Sequence, residues 1–532
     1  MGEKYMKEYI DSGNAVLGIE LGSTRIKAVL INDKGVTIAQ GSHGWENQYE
    51  NGIWTYSLEM IWDGISDAYK ALNSDVREKY STDIKKLRSI GISAMMHGYM
   101  VFDETNRLLV PFRTWRNTIT EEAATILTKE FYFNVPQRWS IAHLYQAILN
   151  REEHVRDINY ITTLAGYIHW KLTGEKVLGI GDASGMFPID SRTKDYNESY
   201  MGSFDKLVEP FGFEWSLRDI LPKVLVAGEE AGVLTEEGAK LLDPSGNLSG
   251  GAVMCPPEGD AGTGMTATNS VAVRTGNVSA GTSIFAMVVM EKALSGVHEE
   301  IDVVTTPEGE DVAMVHCNNC TSDINAWADL FRDFAGRMGM EVDNDKLYTT
   351  MFKAALDGAP DCGGLMGFNY FSGEPVTDFS EGRPVFARSV NADFTFANFM
   401  RLHLYSAVST LKYGLDILFR EEKVEVDKMY GHGGYFKTPE VGQRIMSAAV
   451  GGPVTVMETA GEGGAWGIAI LALYTLRSDG ISLSDFLSKY IFAGEEGVTV
   501  NAEQQEVSGF DRFMEAFRRA FALENAAIEV MD

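Results

Sequence analysis

Two short turns of small polar residues, each set between apolar runs, limit what this chain can fold into more than any other feature. The first is Glu20-Leu21-Gly22-Ser23-Thr24, with apolar runs over 15–19 and 26–31 on either side. Asp33-Lys34-Gly35 then turns the chain into a third run over 36–39. Strand, tight polar turn, strand, turn and strand is an antiparallel meander. Leu58, Ile61, Trp62, Ile65, Tyr69 and Leu72 follow at helical spacing, and Ser89-Ile90-Gly91-Ile92-Ser93 is strand-like again. A meander passing into alternating helix and strand predicts an α/β domain with a mixed sheet. The second turn, Ser279-Ala280-Gly281-Thr282-Ser283, also joins two strand-like runs, early in the second half. The pair predicts duplicated domains, with coincidence among 54 glycines as the alternative.

Composition supports a folded chain of several domains. At 532 residues there is room for about two to four of them. With 45% hydrophobic and 23% charged residues, each domain can bury a full core, which excludes disorder as the dominant state. The 46 Lys and Arg against 75 Asp and Glu leave a net charge of −29. That field opposes binding to nucleic acid and to anionic membranes. An anionic small substrate would need local help from backbone N–H groups or a metal. The first residues lack the apolar stretch of a signal peptide, Met6 breaks the myristoylation pattern, and no run approaches 18 apolar residues. A cytoplasmic location is expected. Four cysteines are too few for a disulfide scaffold, so Cys317 and Cys320 read as reduced bystander thiols before a zinc or redox pair.

Further along, residues 120–175 look mostly helical, and 241–251, with Pro244 and several Gly and Ser, reads as a linker. Strand-like runs return over 271–275 and 284–289, and helical patterns cover 321–357 and 394–421. A last helix is expected over 510–523, with Phe510, Phe513, Phe517 and Phe521 on its buried side and Ser508 and Asp511 at its start.

A Gly-Ser-Thr turn can aim consecutive N–H groups and hydroxyls at a phosphate, because glycine permits the backbone angles and the close approach. Hairpin turns use the same residues for conformation alone. Neither a Walker loop nor the protein-kinase HRD triplet occurs. Gly262-Thr263-Gly264-Met265-Thr266-Ala267 fits a loose dinucleotide pattern but has no clean strand before it within a βαβ unit. Two glycine clusters remain, Gly431-His432-Gly433-Gly434 and Gly461-Glu462-Gly463-Gly464, the second leading into a small-residue helix over 465–472. Flat backbone free of side chains suits a purine ring.

In this order, the pieces resemble the FGGY family of carbohydrate kinases, within the actin-like ATPase superfamily. Gly18-Ile19-Glu20-Leu21-Gly22-Ser23-Thr24 with Lys27 is similar to the family's first phosphate motif, and Ser279 to Ser283 to its second. Gly431 to Gly434 with Lys437 resembles the adenosine motif, and Gly461-Glu462 through Ala472 the closing helix of the nucleotide site. Gly259-Asp260-Ala261-Gly262 matches the segment of the catalytic aspartate, and Tyr370-Phe371-Ser372-Gly373-Glu374 is similar to the signature Gly-Glu segment. Met95-Met96-His97-Gly98, and Asp182-Ala183-Ser184-Gly185 ending at Asp190, are most similar to the xylulokinase branch, although gluconate kinases carry a related Met-His. The resemblance runs from about residue 15 to 475.

The resemblance implies an α/β fold of two RNase H-like (actin-like ATPase) domains with a central cleft. Residues 1–250 would form the sugar-side domain, 255–475 the nucleotide-side domain and 476–532 a C-terminal helical extension. It implies ATP-dependent phosphorylation of a sugar, with D-xylulose first and ribulose, gluconate or a polyol as alternatives. A nucleotide-binding regulatory protein on the same fold is the non-enzyme alternative. Asp260 would be the catalytic base and also touch sugar and metal, and Glu20 would orient Mg²⁺ through water. Met96, His97, Trp115 and Asn117 would meet the sugar. Gly22, Ser23, Thr24, Lys27, Gly281, Thr282, Ser283, Gly433, Gly434 and Lys437 would hold ATP. Neither nucleic acid nor membrane is an expected partner, and a homodimer is left open. Four departures from the family pattern stand out: Glu20 for aspartate, Ala261 for an amide, Thr114-Trp115-Arg116-Asn117 in the sugar segment, and Pro375 after Glu374.

Overall fold

The computed structural model describes residues 2–457, 463–478, 480–494 and 497–531. The chain groups into two compact units, one of Met1–Val271, Val303–Val312 and Glu462–Gly494, the other of Ala272–Asp302, Ala313–Gly461 and Glu495–Asp532. Among the described residues no helix is long and apolar enough to cross a membrane.

In the first unit the meander forms as expected. Val16–Leu21, Arg25–Ile31 and Thr37–Gly44 pair antiparallel in chain order. Ser89–Ala94 joins the other edge of Val16–Leu21 in parallel, and Val253–Met254 and Glu258–Gly259 both lie parallel beyond it. In the second unit Thr275–Ala280 takes the place of the first strand, antiparallel to Ile284–Val289 and parallel to Lys428–His432, with Val454–Val456 parallel beyond. The two sheets share this order, which is the duplication the paired turns predict. Val498–Val500 adds an antiparallel edge to the second sheet.

Local chemistry explains the main helices. Leu58–Tyr80 starts at Ser57, whose side chain accepts the Met60 N–H, and ends at Ser81 in the left-handed region. Its Ile61, Ile65, Ala68, Leu72 and Val76 face the sheet. Gly463–Thr475 is buried all round apart from its first residue. This helix, read from sequence as part of the nucleotide-side domain, packs on the sheet of the first unit. A Cβ on Gly18 would overlap the Ala465 carbonyl and stand 2.7 Å from the Ala469 nitrogen; one on Gly91 would stand 2.6 Å from the Ile468 carbonyl. The Trp466 indole N–H donates to the Gly35 carbonyl at 2.7 Å.

Gly18→Ala is therefore expected to lower the unfolding free energy by about 1–3 kcal/mol, the usual range for overpacking. Gly44→Ala, where a Cβ meets nothing within 4 Å, should change it by under about 0.5 kcal/mol. Equal midpoints for both variants in urea would contradict this packing.

Some expectations change. The strand expected over 271–275 begins only at Thr275, because the Thr275 N–H closes a turn on Ala272. The expected linker is an ordered turn on the first unit, where buried Asp243 accepts the N–H groups of Ser245, Asn247 and Leu248. The last helix starts earlier, at Gln504, because Glu503 and Glu506 cap it reciprocally, and Ser508 lies inside it. Phe510, Phe513 and Phe517 are buried on it, and a second helix, Phe521–Val530, follows. Residues 262–267 lie within helix Asp260–Ala267, so they form no dinucleotide loop ahead of a helix.

Candidate active site

Asp260 opens helix Asp260–Ala267 directly after the strand Glu258–Gly259. Its Oδ1 accepts the Met96 N–H at 3.3 Å. Only glycine fits at 259, since the Met96 side chain fills the space a Cβ would take. Asp260 is open to solvent, yet crowding by protein raises its carboxyl above the usual range, against the pull of the Met96 and Ala261 N–H groups. It is a carboxylate that a substrate can reach.

Glu20, near the end of Val16–Leu21, lies across the antiparallel pair from Lys27. Burial and then the like charge of Asp260 push its carboxyl up to about 7, opposed by Lys27 and by the Ala465 backbone. A Cβ on Gly464 would overlap Glu20 Oε1 and come within 2.9 Å of Thr263 Oγ1. Glycine at 464 thus lets the carboxylate sit at a helix N-terminus, whose partial positive charge favours it. Gly461 and Glu462 lie outside the described residues.

Among the described residues no group of three or more His, Cys, Asp or Glu could hold a metal ion. Two carboxylates close enough for one to raise the other nevertheless suit Mg²⁺, which keeps several waters and takes other oxygens from phosphates.

His97 follows Met96 in the left-handed region, at φ 68°, and Gly98 continues at φ 95°. Its Nδ1 lies 3.1 Å from the Gly185 carbonyl, which can only accept, so in the neutral tautomer the proton sits on Nδ1 and Nε2 is the acceptor. Trp115 donates its indole N–H to Ser23 Oγ at 3.3 Å. The same turn is fixed by the Tyr56 hydroxyl on the Ser23 carbonyl at 2.6 Å and by the Trp45 indole on the Gly22 carbonyl at 2.7 Å. Thr24 at its tip is exposed. The structure thus joins Trp115 to the first small-residue turn.

Asn117, a candidate sugar contact from sequence, has its whole amide engaged by backbone. Its Oδ1 accepts the Trp54 N–H at 2.9 Å, and its Nδ2 donates to the carbonyls of Trp54 and Thr114, both at 2.9 Å. Trp54 in turn carries the exposed Arg116 guanidinium 4.2 Å from its ring.

In the second unit, Gly281 closes its turn with an N–H to the Ser283 carbonyl at 2.9 Å. The Gly281 carbonyl accepts from the Thr321 hydroxyl at 2.8 Å, and the Thr282 carbonyl from the Cys320 N–H at 2.9 Å. Gly433, at φ 99°, lies against Ala280, where a Cβ would overlap the carbonyl. The 281–283 turn and the Gly433-Gly434 backbone are therefore neighbours, with Thr282, Gly433, Gly434 and Lys437 exposed. Glu374 is buried and pushed up to about 7 by that burial, while accepting N–H groups of Asn318 and Asn319. Cys317 and Cys320 beside them are free, buried thiols whose pKa burial raises.

Buried Glu258, two residues before Asp260, belongs to no motif of the sequence; the one signal there is an acid directly after Cys255-Pro256-Pro257.

The two sheets repeat one strand order, with an open carboxylate at a helix start in the first unit and a small-residue turn after the leading strand of each. Residues 15–246 match the N-terminal domain, and residues 276–476 the C-terminal domain, of the FGGY family of carbohydrate kinases. The chain belongs to that family and is a carbohydrate kinase. It is 23% identical over 474 residues to the xylulose kinase of Haemophilus influenzae, covering 84% of this chain and 91% of that one. Its fold is similar to ligand-bound xylulose kinase from Lactobacillus acidophilus, with TM-score 0.77 and 15% identity over 96% of this chain and 98% of that one. Gluconate kinase from the same organism has TM-score 0.75 and 15% identity over the same shares.

Proposed function

We propose that this protein transfers the γ-phosphoryl group of ATP to a hydroxyl of a ketopentose, with D-xylulose preferred. The observation that carries the reading is the Met96 N–H on Asp260 Oδ1, which ties the candidate base to the residue preceding His97. A sugar hydroxyl holds its proton tightly, so a carboxylate must accept it as the oxygen bonds to phosphorus. Asp260 is open enough to do so. His97 Nε2 accepts a sugar hydroxyl, and the Trp115 ring offers a face to sugar C–H groups. The turns over 22–24 and 281–283, exposed at Thr24 and Thr282, donate to phosphate oxygens, Gly433 and Gly434 give a flat bed for adenine, and Lys27 and Lys437 supply positive charge. Glu20 and Asp260 would hold Mg²⁺, which neutralises phosphate charge when bound. The xylulose kinase relative, similar across most of both chains, supports the ketopentose.

A second reading, a sugar acid such as gluconate, is favoured by Arg116. Its guanidinium is exposed over the Trp54 ring, one residue along the chain from Trp115, where a substrate carboxylate could pair with it. ADP release measured across ketopentoses, aldoses, polyols and sugar acids separates the two. The ketopentose reading requires the highest kcat/KM with D-xylulose, and no turnover with any sugar would refute kinase activity.

Glu20→Gln should raise the Mg²⁺ concentration needed for half-maximal rate while leaving the sugar KM nearly unchanged; Glu20→Asp should keep activity. Superimposable Mg²⁺ curves for the parent and the Gln variant would exclude a metal role. Stability supplies a second check. Burial and Asp260 push Glu20 from 4.5 up to about 7 in the fold, so its ionisation weakens the native state progressively as pH rises from about 4.5 through 7, and the loss is complete above that. Without metal, the Gln variant should melt roughly 2 °C higher at pH 8, the gain shrinking as pH falls toward 4.5.

A further inference from the structure

Glu258 lies two residues before Asp260 and is fully buried, on the short strand Glu258–Gly259. Its carboxylate oxygens accept the N–H groups of Gly181 at 3.3 Å and Asp182 at 3.0 Å. Neither Gly179 nor Gly181 could carry a Cβ, because the Glu258 carboxyl occupies that space. The Gly179 N–H also donates to the Pro257 carbonyl at 2.8 Å, so the two segments are fastened side by side.

The 179–185 segment is braced along its length. The Thr163 hydroxyl donates to Asp182 Oδ2 at 2.6 Å. The Ser184 hydroxyl donates to the Gly181 carbonyl at 2.6 Å and accepts the Thr305 N–H at 3.0 Å. The far end of the segment is Gly185, whose carbonyl holds His97 Nδ1; a Cβ there would stand 2.7 Å from that nitrogen. His97 adjoins Met96, and the Met96 N–H returns to Asp260. Hydrogen bonds and short stretches of chain therefore close a ring: Asp260, Met96, His97, Gly185, Asp182, Glu258 and back to Asp260.

We infer that Glu258 is a positioning residue that fixes Asp260 and His97 relative to each other by clamping the 179–185 segment. It touches neither sugar nor phosphate. The inference rests on the roles proposed above for Asp260 and His97. Losing the clamp lets the segment, and His97 with it, shift against Asp260. Misplacement of about 1 Å between a substrate and its base costs on the order of 10²-fold in rate.

Steady-state kinetics of the full chain test this, with Glu258→Gln and Ser184→Ala beside Asp260→Asn and His97→Ala. Glu258→Gln keeps the shape but turns an amide NH₂ toward a backbone N–H, so one bond is lost. It should lower kcat about 10–100-fold and raise the sugar KM several-fold, with the ATP KM within about twofold. Ser184→Ala, which creates little space, should move both parameters the same way by a smaller factor, and it serves if the Glu258 variant folds poorly. A purely structural role would reduce the active fraction and hence kcat alone. Lower kcat at an unchanged sugar KM in both variants therefore overturns the inference. So do parent-like constants in both while Asp260→Asn and His97→Ala are impaired. Parent-like constants in the two reference variants overturn the functional reading, and the inference with it.

Discussion

Asp260→Asn should fold like the parent and lose about 10²–10⁴-fold in kcat, the usual range for removing a general base. The fold should survive because an Asn oxygen still accepts the Met96 N–H, and the side chain is open to solvent on its other side. The amide cannot take the sugar proton. Removing the charge also lowers the repulsion that raises Glu20, so thermal stability at pH 8 should hold or improve. ADP release together with a melting curve decides it. Turnover within threefold of the parent would exclude Asp260 as the base.

The second large effect separates His97 from Asn117, which share one expected role in the sequence although the Asn117 amide is held entirely by backbone. His97→Ala should raise the sugar KM about tenfold or more, since a site built to bond a hydroxyl loses its acceptor. The ATP KM should stay within about twofold. Asn117→Ala removes three bonds to backbone; the Trp54 and Thr114 carbonyls keep the N–H groups of Thr114 and Asn117, but the Trp54 N–H loses its acceptor, costing about 1–3 kcal/mol in stability. Its main readout is therefore a lower melting temperature. A sugar KM raised equally in both variants, with Asn117→Ala melting like the parent, would return Asn117 to the sugar site.

That contrast marks where the sequence stops being legible. The meander, its turns and the repeat are local patterns, visible because alternation and turn residues act within a few positions. Asp260 and Glu20 are named by short motifs that lie on single elements. Asn117 is not decipherable alone, because its partner Trp54 is 63 residues away and any buried Asn near a Trp reads as a ligand. Glu258 meets Gly181 across 77 residues. The helix Gly463–Thr475 is apolar on nearly every face, so periodicity gives it no direction. Its place is set by Gly18 and Gly91, and a glycine in a strand does not announce which backbone approaches it. The late start assigned to the last helix has a simpler cause: Ser508 and Asp511 imitate a cap that Glu503 and Glu506 supply upstream.

The contact of Gly18 with Ala465 also has a meaning in time. Ribosomes release a chain from its N-terminus, so the strand Val16–Leu21 emerges among the first elements and the helix Gly463–Thr475 among the last. At about 5–20 residues per second, roughly 20–90 s separate them. Until then the face of the first sheet around Gly18 and Gly91 lacks its cover, while nearly the whole second unit is being made. The first unit is begun first and completed late, and a nascent chain of this kind offers chaperones a defined window and a defined surface.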